Sequence, residues 1–435
     1  MKHVAQAIFR ETLAALDIRG ALDRKLARAG TVIRAGGTEI DLRGYREIVA
    51  IAFGKASFAM AEALNDILAP DFSCEGILVG PAAPPRKLAG WRSFVGAHPM
   101  PDEQSFAAGR AILDRLTRCD SHSLIFFLLS GGGSSLVESP IDAKATLEDF
   151  RQLHAALVKC GAPIEEINIV RRHVSATKGG RLAAAAPESM KITFAISDVP
   201  PGMEAALASG PTLPDPTTLA DAERVIRENS LEGKLPDSIR TALARRILPE
   251  SPKPGDAAFG LAHFSLILGT HDLTHAAHHA SESHGYACVC DAETDNWPLD
   301  KAADFLLAML AQQKAEWPGH RVAVIAGGEV SSPVTGGGMG GRNSAFTLAC
   351  VPKIAGKKIA VLSAGTDGID GNSPAAGAIA DGETMPRARA AGLDPADFSR
   401  QSDAYHFFEP LGDAIVTGPT GMNVRDLRIF LAEPD

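Results

Sequence analysis

At 435 residues the chain exceeds one ordinary core and predicts two domains. Its 45% hydrophobic and 22% charged residues mark an ordered globule, and a net charge of −9 argues against a nucleic-acid or membrane-surface role, although an acidic protein can still hold a locally basic cleft. The six cysteines (Cys74, Cys119, Cys160, Cys288, Cys290 and Cys350) lack paired zinc spacing and are too few to staple the chain, which points to reduced thiols in a cytoplasmic protein.

In chain order, residues 1–16 read as an amphipathic helix, because Arg10 and Glu11 interrupt the apolar pattern that a signal peptide would need. Apolar runs of strand type follow at residues 48–53, 76–80, 124–129, 192–196, 266–269, 287–290, 322–326 and 359–362. Helical patterns alternate with them at residues 56–68, 105–116, 145–159, 168–186 and 302–316. That alternation predicts an α/β fold with mainly parallel sheets, since parallel strands need helical crossovers. The longest strongly apolar run, residues 124–129, falls far short of the ~20 residues that span a bilayer. Residues 235–260 carry four prolines and two glycines, so the domain boundary is placed there, between 1–245 and 260–435.

Three glycine-dense loops stand out: Leu129-Ser-Gly-Gly-Gly-Ser-Ser135, Thr335-Gly-Gly-Gly-Met-Gly-Gly-Arg-Asn343 and Leu362-Ser-Ala-Gly-Thr-Asp-Gly-Ile-Asp-Gly-Asn372. A glycine loop between strand and helix leaves backbone N–H groups able to surround an anion, so the three together predict a polyphosphate or acidic substrate. In the first, Gly131, Gly132 and Gly133 form the cradle, with Ser134 and Ser135 as hydroxyl donors. Upstream, the run 48–53 delivers Gly54 and Lys55 to a helix start. The Walker A pattern is absent, because Val49 stands where its first glycine belongs, so Lys55 fits a ligand-facing lysine and a solvated cap equally well. Residues 168–182 concentrate Arg171, Arg172, Lys178 and Arg181; Arg171, Lys178 and Arg181 share one face if the helix continues past Gly179.

Carboxylates at strand ends suit Mg²⁺ beside phosphates, and Asp198, Asp367, Asp370 and Glu329 occupy such positions, where each alone could equally be a turn-former or cap. Residues 336–341 formally satisfy G-x-G-x-x-G, but no strand immediately precedes them and no acidic partner follows. They read better as an anion loop, with Gly340, Gly341 and Asn343 at the start of the helix 343–350 and Arg342 as a bidentate donor. His271, His275 and His278 fall on one helix face without a zincin glutamate, and with His279 and His284 they read as a solvated face. No G-x-S-x-G elbow supports acyl transfer.

Taken in order, His98-Pro-Met-Pro-Asp102, residues 129–135, Asn168 to Arg181 with Lys178-Gly-Gly, Ser197-Asp198, Ser209-Gly-Pro211, Gly327-Gly-Glu329, Gly340-Gly-Arg-Asn343, residues 363–370 and Thr417-Gly-Pro-Thr-Gly421 resemble the class II glycerate 2-kinases. The resemblance runs nearly the whole length. It implies a Rossmann-like α/β/α N-terminal domain, a smaller α/β C-terminal domain containing a MOFRL region at about residues 320–428, and an active site in the cleft between them. It also implies a cytoplasmic transferase that uses ATP and Mg²⁺ to phosphorylate D-glycerate to 2-phosphoglycerate, with no nucleic-acid or membrane partner and with homo-oligomerisation left open. On that basis Lys55 and Arg342 are assigned to the transferring phosphoryl group and the substrate carboxylate, Lys178 to phosphate charge, and Asp198, Asp367 and Glu329 to the metal. Met422 and Arg425 depart from the family's usual Thr-Asn-Val-Asn-Asp after Gly421. The competing readings are an NAD(P)H-dependent hydroxypyruvate reductase and a non-catalytic module that binds organic anions.

Overall fold

The computed structural model describes residues 1–434 and divides them into two compact units. One comprises Ile18–Ile267; the other combines Met1–Asp17 with the chain from Leu268 onward. The division therefore falls just after the proline-rich segment, and the first helix, Lys2–Ala15, joins the C-terminal unit, where it packs on the helix Thr270–Ser283. The anchor is visible in the residues: Ala5, Ile8 and Phe9 are buried, and Lys2 Nζ pairs with Asp413 at 2.7 Å.

The Ile18–Ile267 unit opens with a small antiparallel sheet, β1 (Leu26–Ala29), β2 (Val32–Ala35) and β3 (Thr38–Asp41). Its main sheet contains β4 (Glu47–Phe53), β5 (Glu75–Gly80), β6 (Trp91–Val95), β7 (Ser123–Leu129), β8 (Met190–Ile196) and β9 (Ala262–Leu268). The spatial order is β6-β5-β4-β7-β8-β9, the doubly wound order, with parallel pairing from β6 to β8. β7 is buried at all seven positions, as a strand covered by helices on both faces must be. Its crossover helices start where the sequence supplies caps: Asp102 for Glu103–Leu116 and Thr146 for Leu147–Lys159, both in capping boxes.

The helical pattern over residues 168–186 does not hold as one helix. A helix runs Ile164–Val174, then the chain turns through left-handed Gly179 and Gly180 into the single turn Arg181–Ala184. Arg171, Lys178 and Arg181 consequently share no helix face.

The other unit holds β10 (Tyr286–Asp291), β11 (Arg321–Gly327), β12 (Ile359–Gly365), β13 (Gly377–Asp381), β14 (Ala414–Ile415) and β15 (Asp426–Ala432), in the order β10-β11-β15-β12-β13-β14. Only β10 and β11 pair in parallel; every other pairing is antiparallel, which corrects the expectation of mainly parallel sheets for this half. The cause is β15, which inserts between β11 and β12 in the opposite sense, and the direct return from β12 to β13 without a crossover helix.

Candidate active site

In the first unit, register creates the site. Phe53 of β4 lies opposite Leu129 of β7, and Leu129 opposite Ala195 of β8, so the three strands release Gly54-Lys55, Ser130-Gly131 and Ser197-Asp198 side by side. Between β4 and β7 the strand order reverses, which is where open α/β sheets leave a crevice at their carboxyl ends. The Lys55 amide donates to the Gly131 carbonyl at 3.0 Å, and the Ala56 amide donates to Ser130 Oγ at 3.0 Å, tying the two loops together. A Cβ on Gly131 would collide with the Asp198 carboxylate. Gly132 has φ +81°, and a Cβ there would sit 3.3 Å from His98 Cδ2 and 3.7 Å from Lys55 Cγ. Lys55, His98, Asp198 and the glycine loop are thereby brought to one place. His98 belongs to the motif His98-Pro-Met-Pro-Asp102; position in the sequence alone did not mark its ring as a neighbour of this loop.

The serines of the loop turn inward. Ser134 Oγ lies 2.9 Å from Ser209 Oγ, which donates to Asn168 Oδ1 at 3.0 Å, and Ser135, 4% exposed, points to the Gly132 carbonyl at 3.4 Å. The helix that the loop opens is a single turn, Gly133–Leu136. Ala208 and Ser209 hold φ of 49° and 63°, strain of the sort that well-packed surroundings must impose on residues with side chains.

Lys178 is not available to a phosphate. It is 1% exposed, and its Nζ donates to Glu138 Oε2 at 2.6 Å. Burial pushes its pKa down and the Glu138 charge opposes that shift. The assignment to phosphate charge is therefore corrected: Lys178 holds Glu138, next to the end of the glycine loop. His154 joins this cluster with Nε2 4.0 Å from Glu138, its pKa lowered to about 3 by burial and by the positive Arg171 and Lys178.

In the second unit, the helix Arg342–Ile354 begins against a carboxylate supplied by the chain itself. Asp370 accepts from the amides of Gly341 (3.1 Å), Asn343 (2.9 Å) and Ser344 (2.8 Å) and from Ser344 Oγ (2.6 Å). Burial pushes its pKa up, against the pull of those hydrogen bonds. The Gly340 amide goes to Asn372 Oδ1 at 2.9 Å, and the Asn343 side chain accepts from Ser363 at 2.7 Å. Gly340, Gly341 and Asn343 thus spend these groups on intramolecular partners, which corrects their reading as phosphate donors. A pyrophosphate would have to displace Asp370. The neighbouring glycines are shaped by the protein too, since a Cβ on Gly338 would strike Asp403 and one on Gly336 would strike Gln401.

Two carboxylates hold Arg342. Nε bonds Asp426 Oδ2 at 2.5 Å, and Nη2 bonds Asp426 Oδ1 at 3.2 Å and Glu329 at 2.7 Å. Nη1 stands outside these contacts, on a side chain that is 38% exposed. Burial disfavours its charge, but Asp426 and Glu329 outweigh that and raise its pKa. Glu329 is accordingly a partner of Arg342. Asp367 lies just past β12, its Oδ1 accepting from the Ile369 amide at 3.0 Å. Arg425, one of the two departures from the family pattern, is 2% exposed and grips Asp295 through two bonds of 2.6 Å. A pocket of about 520 Å³ opens beside Arg342, with Val334, Gly340, Phe398 and Ala404 among its walls, a size suited to a small molecule.

Comparison with known proteins decides the family. Residues 4–244 match a domain of unknown function, DUF4147, and residues 322–426 match the MOFRL family. The chain belongs to the two-domain glycerate kinase family. A D-glycerate 2-kinase of Thermotoga maritima is 34% identical over 88% of this chain and 90% of its own length. A putative hydroxypyruvate reductase of Agrobacterium vitis is 37% identical over 88% of this chain and 86% of its own. The crystal structure of glycerate kinase from Thermotoga maritima superposes with a TM-score of 0.83 at 30% identity, covering 99% of both chains. No helix among the described residues is long and apolar enough to cross a membrane.

Proposed function

We propose that this chain transfers the γ-phosphoryl group of MgATP to the 2-hydroxyl of D-glycerate, giving 2-phosphoglycerate and ADP. The observation that carries the reading is the meeting of Lys55, the Gly131–Gly132 turn and Asp198 at the switch point of the doubly wound sheet, in a chain whose relatives include a D-glycerate 2-kinase. Phosphoryl transfer asks for positioning and charge neutralisation more than for a covalent nucleophile, and this donor set suits it. The glycerate oxygen bonds to phosphorus as the bond to the ADP oxygen breaks, and the hydroxyl proton is released. Lys55 is the cation that its unit offers to a phosphoryl group, and Arg342 the cation that the other unit offers to a carboxylate or phosphate. Asp198 in one unit and Asp367 in the other each offer a hard oxygen ligand of the kind magnesium takes. Glu329 and Asp426 fix the direction of the Arg342 fork, and Gly131, Gly132, Gly133 and Ser134 shape the anion cradle.

The reductase reading, raised by the name of the Agrobacterium relative, finds less support. Its only dinucleotide fingerprint, residues 336–341, packs against Gln401 and Asp403 and leads to a helix start already capped by Asp370. The test is incubation with D-glycerate, ATP and Mg²⁺, with the product identified by phosphorus NMR, beside hydroxypyruvate with NADH or NADPH. A 2-phosphate ester without nicotinamide oxidation is expected. Nicotinamide oxidation without a phosphate ester would overturn the proposal.

A further inference from the structure

The histidine-rich helix Thr270–Ser283 packs on β10, the strand at the edge of its sheet. Cys288 and Cys290 are two apart on that strand and so project from the same face. They project toward His278, and one ligand atom from each of the three residues lies within 4.8 Å of the others. All three side chains are at least partly accessible, and both thiols are free. Sequence spacing pointed to His271, His275 and His278 as a set. The structure breaks that set: His275 instead faces His279, with their Nε2 atoms 3.2 Å apart, while His278 turns to the cysteines.

The His278 ring is also held from its far side. Its Nδ1 lies 3.6 Å from Cys290 Sγ, and its Nε2 faces Glu282 Oε1 at 3.3 Å. A ring nitrogen directed at a ligand cluster, with the other held by a carboxylate, is the arrangement by which proteins fix the tautomer of a metal-binding histidine. Two thiolates and an imidazole are a borderline-soft donor set, which selects zinc over magnesium or calcium.

We propose that His278, Cys288 and Cys290 form a Zn²⁺ site, with water as the fourth ligand. Zinc–sulfur bonds of about 2.3 Å and a zinc–nitrogen bond of about 2.0 Å require only small side-chain rotations from this spacing. Binding forms two Zn–S bonds and one Zn–N bond and releases both thiol protons to solvent. The ion would pin the edge strand to the helix. None of its ligands belongs to the proposed phosphoryl-transfer site, so the two readings stand or fall separately.

The test uses the full chain, reduced and stripped of metal. Titration with Co²⁺ is expected to give one tetrahedral ion per chain with an intense near-ultraviolet thiolate-to-cobalt band, and Zn²⁺ should displace it and raise the melting temperature. Cys288→Ser, Cys290→Ser and His278→Gln should each weaken Zn²⁺ binding by more than about tenfold, and Glu282→Gln by about tenfold, the usual effect of removing a carboxylate behind a ligand. A His275→Gln, His279→Gln double variant should bind as the unaltered chain does. Cobalt binding without the thiolate band, or tight zinc binding that survives loss of both cysteines, would overturn the site. The spectrum of the unaltered chain decides the matter even if a variant fails to fold.

Discussion

Two glycine-rich loops, residues 130–135 and 336–341, look interchangeable in the sequence, and the structure gives them opposite occupations. In the first, the glycines permit a close approach of Asp198, His98 and Lys55, side chains with chemistry to offer. In the second, they admit Gln401, Asp403 and Asp370, so the helix start is filled by an internal carboxylate. A helix N-terminus attracts an anion whatever its source. Whether the anion is a substrate or a side chain depends on what the rest of the chain brings to it.

The contrast can be broken at several points. The largest effect is expected from Lys178→Met, behind the first loop, which leaves Glu138 buried without its counter-charge. Urea unfolding should show a loss of about 3–5 kcal/mol, and adding Glu138→Gln should recover part of it. Arg342→Ala should lower kcat by about 10²–10³, the size expected when a donor to developing charge is removed, and should also lower the urea midpoint because Asp426 stays buried without its partner. Retained turnover would remove Arg342 from the proposed mechanism.

Asp370→Asn should cost about 2 kcal/mol in the same unfolding measurement, because one oxygen must become an amide nitrogen facing N–H donors. An unchanged midpoint would mean that the cap is dispensable. His154 gives the pH dependence. Its folded pKa of about 3 lies below the ordinary 6.5, so the unfolded chain takes up the proton first and stability falls as pH drops below about 6.5. At pH 5 this amounts to about 2 kcal/mol, and His154→Phe should remove that share of the acid sensitivity measured between pH 7 and 5. The smallest effect sharpens the comparison most. Gly337→Ala has open space for its Cβ and should shift thermal unfolding by less than about 0.5 kcal/mol, whereas Gly131→Ala drives a methyl group into Asp198 and should reduce turnover.

Much of the first unit was legible because its strands are continuous apolar runs. The run 124–129 is the centre of a sheet buried on both faces. The second unit was less so. β15 escaped notice because Arg428 interrupts its apolar run, and this arginine is fully buried, donating to the carbonyls of Gly327 and Gly328 at 3.0 and 3.1 Å. β13, Gly377–Asp381, is built largely of small residues and carries little strand signal.

The α/β class, the family, and the loops where charged and glycine residues gather could be read along the chain, because hydrophobic period and glycine placement are local properties. Which charges face outward was set by the packing of distant segments. Lys178 was claimed by Glu138, Glu329 by Arg342, the helix start at Arg342 by Asp370, and His278 by two cysteines on a neighbouring strand. Each of those pairings joins residues at least ten positions apart. An isolated charge is satisfied by whichever opposite group the fold brings within about 3 Å, and no local pattern records that distance.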